Sequence, residues 1–123
     1  MFQLKRAYEP ASRDDGCRVL VERLWPRGVT KSKAAIDAWL KDVAPSAELR
    51  KWYGHVPERW TEFRRRYWSE LRSHPEAVRE LRAKEREGKV TLVYAAHDVE
   101  HSGALALKQF LGRHKTKAGA GAR

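Results

Sequence analysis

Three groups of residues in this sequence have types and spacings suited to chemistry. The first is Arg23 and Arg27 in VERLWPRGVT, four residues apart in a stretch that also holds Trp25, Pro26 and Gly28. Guanidinium groups are planar forks that bind carboxylate or phosphate through paired hydrogen bonds, and lysine would not replace them there. Gly28 would let the backbone turn sharply beside a bound anion. The second group is Ser46, Arg50 and His55 in APSAELRKWYGH. Arg50 suits an anion and His55 a proton transfer, whereas Ser46 is most simply a helix N-cap worth about 1 kcal/mol. The third is Asp98 and His101 in AAHDVEHSG. His101 is the best general acid or base in the chain, because imidazole titrates near neutral pH. Asp98 precedes a predicted helix, where a carboxylate caps free amides and free amides bind anions.

These groups meet only if the fold brings their loops together. Cys17 to Val21 is a short, β-branched run suited to a central strand, and it stops before Trp25-Pro26 because proline lacks the amide a ladder needs. Val90 to Ala96 is a second clear strand, and Gln3 to Tyr8 alternates more weakly. Ile36 to Leu40 reads as a strand by alternation, with a helix from about Ser32 as the competing assignment. Ser46 opens a short helix that sets Leu49, Trp52 and Tyr53 on one face, and Gly54 ends it. Pro57 starts a longer helix with Trp60, Phe63, Tyr67 and Leu71 as its apolar stripe. Ser73-His74-Pro75-Glu76 resembles a capping box and opens a third helix, carrying Val78 and Leu81 and closed by Gly88. The last helix aligns Ala104, Leu107 and Leu111.

Strands alternating with helices predict a single small three-layer α/β domain over residues 1–112, with a mostly parallel sheet flanked by helices. In such a fold ligands sit at the carboxyl ends of the strands. Both the Arg23–Arg27 loop and the Asp98–His101 loop leave such ends, so a shared pocket for a small anionic ligand is expected. Trp25 and Trp39 fall near that pocket and would wall it or pack in the core.

Composition narrows the partners. The chain has 123 residues, room for one domain, and its 26 Lys and Arg against 16 Asp and Glu give a net charge of +10. That balance favours phosphate, carboxylate or nucleic acid. Arg113, Lys115, Lys117 and Arg123 supply four of those charges, on residues 113–123, which read as a flexible basic tail. Arg64-Arg65-Arg66 with Arg59, Arg72 and that tail makes nucleic acid a possible partner, with Trp68 available to stack on a base. The bland alternative is a solvated face paired with Glu58, Glu62 and Glu70.

The lone cysteine, Cys17, excludes an internal disulfide and reads as a small buried hydrophobe. No apolar run reaches the roughly 18 residues of a membrane span, and no secretion signal is visible, so a cytoplasmic protein with no membrane contact is expected. His97, Asp98 and His101 have the ligand types for a metal, but their segment reads as a loop, so neither metal nor cofactor is expected. A monomer is expected, or a homodimer joined through the aromatic face of the Pro57–Arg72 helix.

RLWPRG at 23–28, AW at 38–39, APSAELRKWYGH at 44–55 and TLVYAAHDVEHSGALAL at 91–107 resemble the YeaO-like branch of the domain of unknown function 488. The resemblance spans nearly the whole chain except the tail, and it implies a site in these motifs without implying a reaction. Longer relatives in that superfamily end the late strand with Cys and open the next helix with Cys-His-Arg. Here Tyr94 and His101-Ser102-Gly103 stand at those places, so a thiolate mechanism has no nucleophile.

Overall fold

The computed structural model describes residues 1–121, with side chains described through Arg113. Four strands, β1 (Phe2–Arg6), β2 (Cys17–Leu20), β3 (Ala38–Trp39) and β4 (Val90–Tyr94), form one parallel sheet in the order β1-β4-β2-β3. Parallel neighbours require crossovers, and helices supply them. These are α1 (Lys31–Ala34), α2 (Ala47–Tyr53), α3 (Trp60–Arg72), α4 (Pro75–Glu87) and α5 (Gly103–Gly121). The protein is therefore a small α/β domain. The expected tail lies, from residue 114, outside the described side chains.

Strand alternation divides the burial unequally between the two faces. Val19 and Val21 around β2, Val90, Leu92 and Tyr94 of β4, and Phe2 of β1 point into one large core with the apolar stripes of α2 to α5. The intervening residues face the other way. There, Leu20, Val93 and Ala7 gather under Trp25, Val29, Ile36 and Trp39, and the remainder of that face is polar. Asp15 is buried and binds Lys5 and Arg18 at 3.1 and 2.6 Å, while Thr91 donates to the Asp15 carbonyl at 2.6 Å. Four helices thus cover one side, and a loop with the short α1 covers the other.

Gly16 is the tightest point of this second face. Its φ of +64° favours glycine, and a Cβ there would lie 2.3 Å from the Lys89 carbonyl oxygen, the same oxygen that accepts the Cys17 amide.

Local details differ from sequence expectation in three places. Residues 36–40 yield only the two-residue β3 after a one-turn α1, because Ala35 adopts a left-handed φ of +47° that ends the helix. Pro57 opens a 3₁₀ turn, Pro57–Arg59, before α3 begins. Ser73 makes no capping box. It stays in helical geometry at the end of α3 with its hydroxyl on the Ser69 carbonyl, and His74 becomes the N-cap of α4 without a side-chain capping bond. The aromatic stripe of α3 proposed for dimer contact instead faces the chain's own core through Phe63, Tyr67 and Leu71. Among the described residues no helix is long and apolar enough to cross a membrane.

Candidate functional site

The carboxyl ends of β2 and β4 lie side by side, because the two strands pair directly. Just beyond them Glu22 and Ala95 meet: the Ala95 amide donates to the Glu22 carboxylate at 3.0 Å. The Trp39 indole N–H donates to the Glu22 carbonyl at 2.6 Å and fixes this main chain. Burial pushes the Glu22 carboxyl above its ordinary value, and the Ala95 bond and the charges of Arg50 and His55 only partly oppose that rise.

Glu22 forms part of a cleft of about 740 Å³ whose other walls come from α2, the turn after it and the loop leading into α5. That size is typical of small-molecule sites. Its apolar lining includes Val21, Phe63, Ala95 and Ala96. Its mouth is basic, with Arg50, Lys51, His55, His97 and His101 against the carboxylates Glu22 and Asp98.

Local sequence explains how α2 presents its cations. The Ser46 hydroxyl accepts the Leu49 amide at 3.1 Å, an N-cap, and donates to Glu70 of α3 at 2.6 Å. This anchors the helix at its start. Gly54 ends it in left-handed geometry with its amide on the Arg50 carbonyl, and His55 follows with φ +58°. Non-glycine residues adopt that geometry at some cost and are enriched at functional sites. The Arg50 and Lys51 side chains are exposed and, among the described residues, have no hydrogen bond or ion pair to protein.

On the facing wall, His101 Nδ1–H donates to Asp98 at 2.8 Å. This contact is the main reason the Asp98 carboxyl is held below its ordinary value. The Trp60 ring meets the imidazole edge-on at 5.5 Å. The Tyr53 hydroxyl donates to the His101 carbonyl at 2.7 Å, and its ring stacks on Phe63 at 4.2 Å. Arg6 supports the loop from behind through the Ala96 and Ala95 carbonyls, at 2.8 and 3.2 Å.

The structure brings together Arg50, His55, Asp98 and His101 from the sequence-derived set and leaves out the other five. Arg23 points away: its guanidinium donates to the Pro45 and Ala44 carbonyls at 2.8 and 3.3 Å, beside a separate, smaller cavity of about 140 Å³ that it shares with Ser46. Arg27 is exposed and does not line the cleft. Loop geometry is the reason, since Pro26 and Gly28 carry the chain over the opposite face of the sheet. Trp25 and Trp39 pack there edge-to-face at 5.7 Å. Asp98 does not cap α5. Ser102 does so, accepting the Leu105 amide at 3.1 Å.

Glu22 and Lys51 were not apparent as site residues in the sequence. The available signal for Glu22 was its place, a carboxylate immediately after a buried central strand. Among the described residues no three His, Cys, Asp or Glu side chains gather as a metal site. Trp68 is half-buried, donating to the Ala106 carbonyl at 2.9 Å between Arg64 and Arg113.

A family model described as the inactive DUF488-N3 subclade matches residues 1–122. The chain belongs to the DUF488 family. It is 47% identical over 109 residues to uncharacterized proteins of Mycobacterium tuberculosis and Mycobacterium bovis, covering 89% of this chain and 92% of theirs. It is 41% identical over 111 residues to the uncharacterized protein YeaO of Escherichia coli, covering 89% of this chain and 96% of that one. No solved structure matches. In this DUF488 chain Tyr94 ends β4, and Cys17 pairs in register with Val90 at the opposite, amino-terminal end of the sheet. The cleft therefore has no thiol.

Proposed function

We propose that this protein binds a small anion, a phosphorylated or carboxylated metabolite, in the cleft at the carboxyl ends of β2 and β4. The observation that carries the reading is the pair Arg50 and Lys51, which line a concave, partly apolar site beside three imidazoles. They have no protein carboxylate on them among the described residues. The other arginines near the domain's loops and helices are mostly engaged: Arg18 by Asp15, Arg23 by main-chain carbonyls, Arg65 and Arg66 by Glu62. Cations without protein partners at a cleft are the groups an incoming anion can engage at the smallest cost in broken contacts.

Binding without thiol-dependent turnover is the form of this reading best supported. The matching subclade is described as inactive, and the lone cysteine lies at the other end of the sheet. The Asp98–His101 pair remains able to hold or accept a proton from a bound ligand.

Titration calorimetry with inorganic phosphate and with citrate tests the proposal. Saturable binding that weakens at least about tenfold in Arg50→Ala supports it. Absence of binding, or binding indifferent to Arg50, overturns it. Nucleic-acid binding along α3 has weaker support, because Glu62 neutralises Arg65 and Arg66 and Arg64 bonds Gln109 at 3.1 Å.

A further inference from the structure

The anion site accounts for the basic mouth of the cleft but not for Glu22. This carboxylate stands at the end of a buried strand, in the same cavity as Arg50 and His55. One of its oxygens takes the Ala95 amide. The other has no partner among the described residues and belongs to a group that lines the cleft. Arg50 and His55 are near enough for their charge to act on Glu22, yet neither forms an ion pair with it within 4.0 Å among the described residues. A cation and a carboxylate thus share one cavity without closing on each other.

Two opposite charges that line one cleft without pairing are matched by a ligand carrying the complementary pair. We infer, on the reading above, that Glu22 selects the ligand's far end, and that the ligand is an amino-bearing phosphate or carboxylate. Its acid group meets Arg50 and Lys51, and its ammonium meets the free oxygen of Glu22. The apolar lining of the same cleft, Val21, Phe63 and Ala96, suits a short methylene spacer. A half-buried carboxylate rewards a matching cation and penalises an apolar group that leaves it unpaired, so discrimination rests on this contact.

A purely structural role for Glu22 would be to hold the Ala95 amide, and glutamine can do that equally well through its carbonyl oxygen. The charge is what glutamine removes. Glu22→Gln therefore separates the two roles.

The test is calorimetry on the full chain with two matched pairs of probes: phosphoethanolamine against propyl phosphate, and 4-aminobutyrate against butyrate. The pairs distinguish a phosphate from a carboxylate as the acid end. In the unaltered protein the amino member of at least one pair should bind about tenfold more tightly than its apolar partner. Glu22→Gln should remove that preference, bringing the two members of each pair to similar affinity. If this variant does not fold, Glu22→Asp, which withdraws the charge by one methylene, should shrink the preference. Equal affinities within both pairs in the unaltered protein, or a preference that persists in Glu22→Gln, would overturn the inference and leave the anion site standing. If no probe binds in a manner that depends on Arg50, both fall.

Discussion

The Tyr53 hydroxyl donates to the His101 carbonyl at 2.7 Å, so the last residue of α2 holds the loop that leads into α5. The bond spans the cleft's two walls, one carrying Arg50 and the other the Asp98–His101 pair. Tyr53→Phe should cost about 0.5–1.5 kcal/mol of stability and weaken anion binding, because the imidazole wall loses its tether. Burial, with a smaller contribution from the Asp98 charge, pushes the Tyr53 hydroxyl up to about 12. The ultraviolet titration of the unaltered protein minus that of Tyr53→Phe should therefore show a phenol ionising near there. A component near the ordinary value of 10.0 would mean the ring is not buried in this way.

Arg23 serves the fold. Its two main-chain contacts, to Pro45 and Ala44, hold the segment that precedes α2. Arg23→Ala should lower stability by about 1.5–3 kcal/mol, the range for charge-assisted hydrogen bonds, and leave phosphate affinity unchanged. Chemical denaturation together with calorimetry separates these effects. A loss of affinity without loss of stability would return Arg23 to the site.

Much of the fold was legible because period-2 and period-3.6 burial act locally. Val19 and Val21 alternate with Arg18 and Leu20, and Phe63, Tyr67 and Leu71 share one helical face. The site was legible only in part. Sequence places Arg23, Arg27 and Glu22 within six residues of one another, but the side of the sheet each reaches depends on where the chain turns after β2. Pro26 and Gly28 direct that turn away from the cleft. A guanidinium also bonds main-chain carbonyls as readily as ligands, and no residue pattern announces which. His55 and His101 were recoverable because both sit where an element ends, beside a glycine or a cap.

Asp15 anchors the polar face opposite the helices. Burial alone would raise its carboxyl, but bonds from the Ser12 amide, Lys5 and Arg18 outweigh burial and hold it below the ordinary value of 3.8. A depressed carboxyl contributes stability that is present above its unfolded value and lost as pH falls through the folded one. Unfolding free energy should therefore drop below about pH 4. Asp15→Ala should cost about 3–5 kcal/mol at neutral pH by stranding Arg18 and should flatten that acid limb. An acid limb unchanged in the variant would assign it to other carboxylates.

Glu22 has the opposite sign. Its carboxyl is raised by burial, so folding disfavours its charged form relative to the neutral one. The stability it confers is complete below its ordinary value of 4.5 and is lost as pH rises through the higher folded value. In the absence of ligand, Glu22→Gln should be more heat-stable than the unaltered protein at pH 7, and the gap should close as pH is lowered toward 4.5. Thermal unfolding across that range checks it, and a variant less stable at pH 7 would show that the charge is satisfied within the protein.

The location of a bound anion tests the central claim most directly. A crystal of the protein grown with tungstate, a heavy analogue of phosphate, should show an anomalous peak in the cleft, within hydrogen-bonding distance of the Arg50 guanidinium and facing His101. Peaks confined to Arg23, Arg27 or the outer arginines of α3, with the cleft empty at saturating tungstate, would contradict the account.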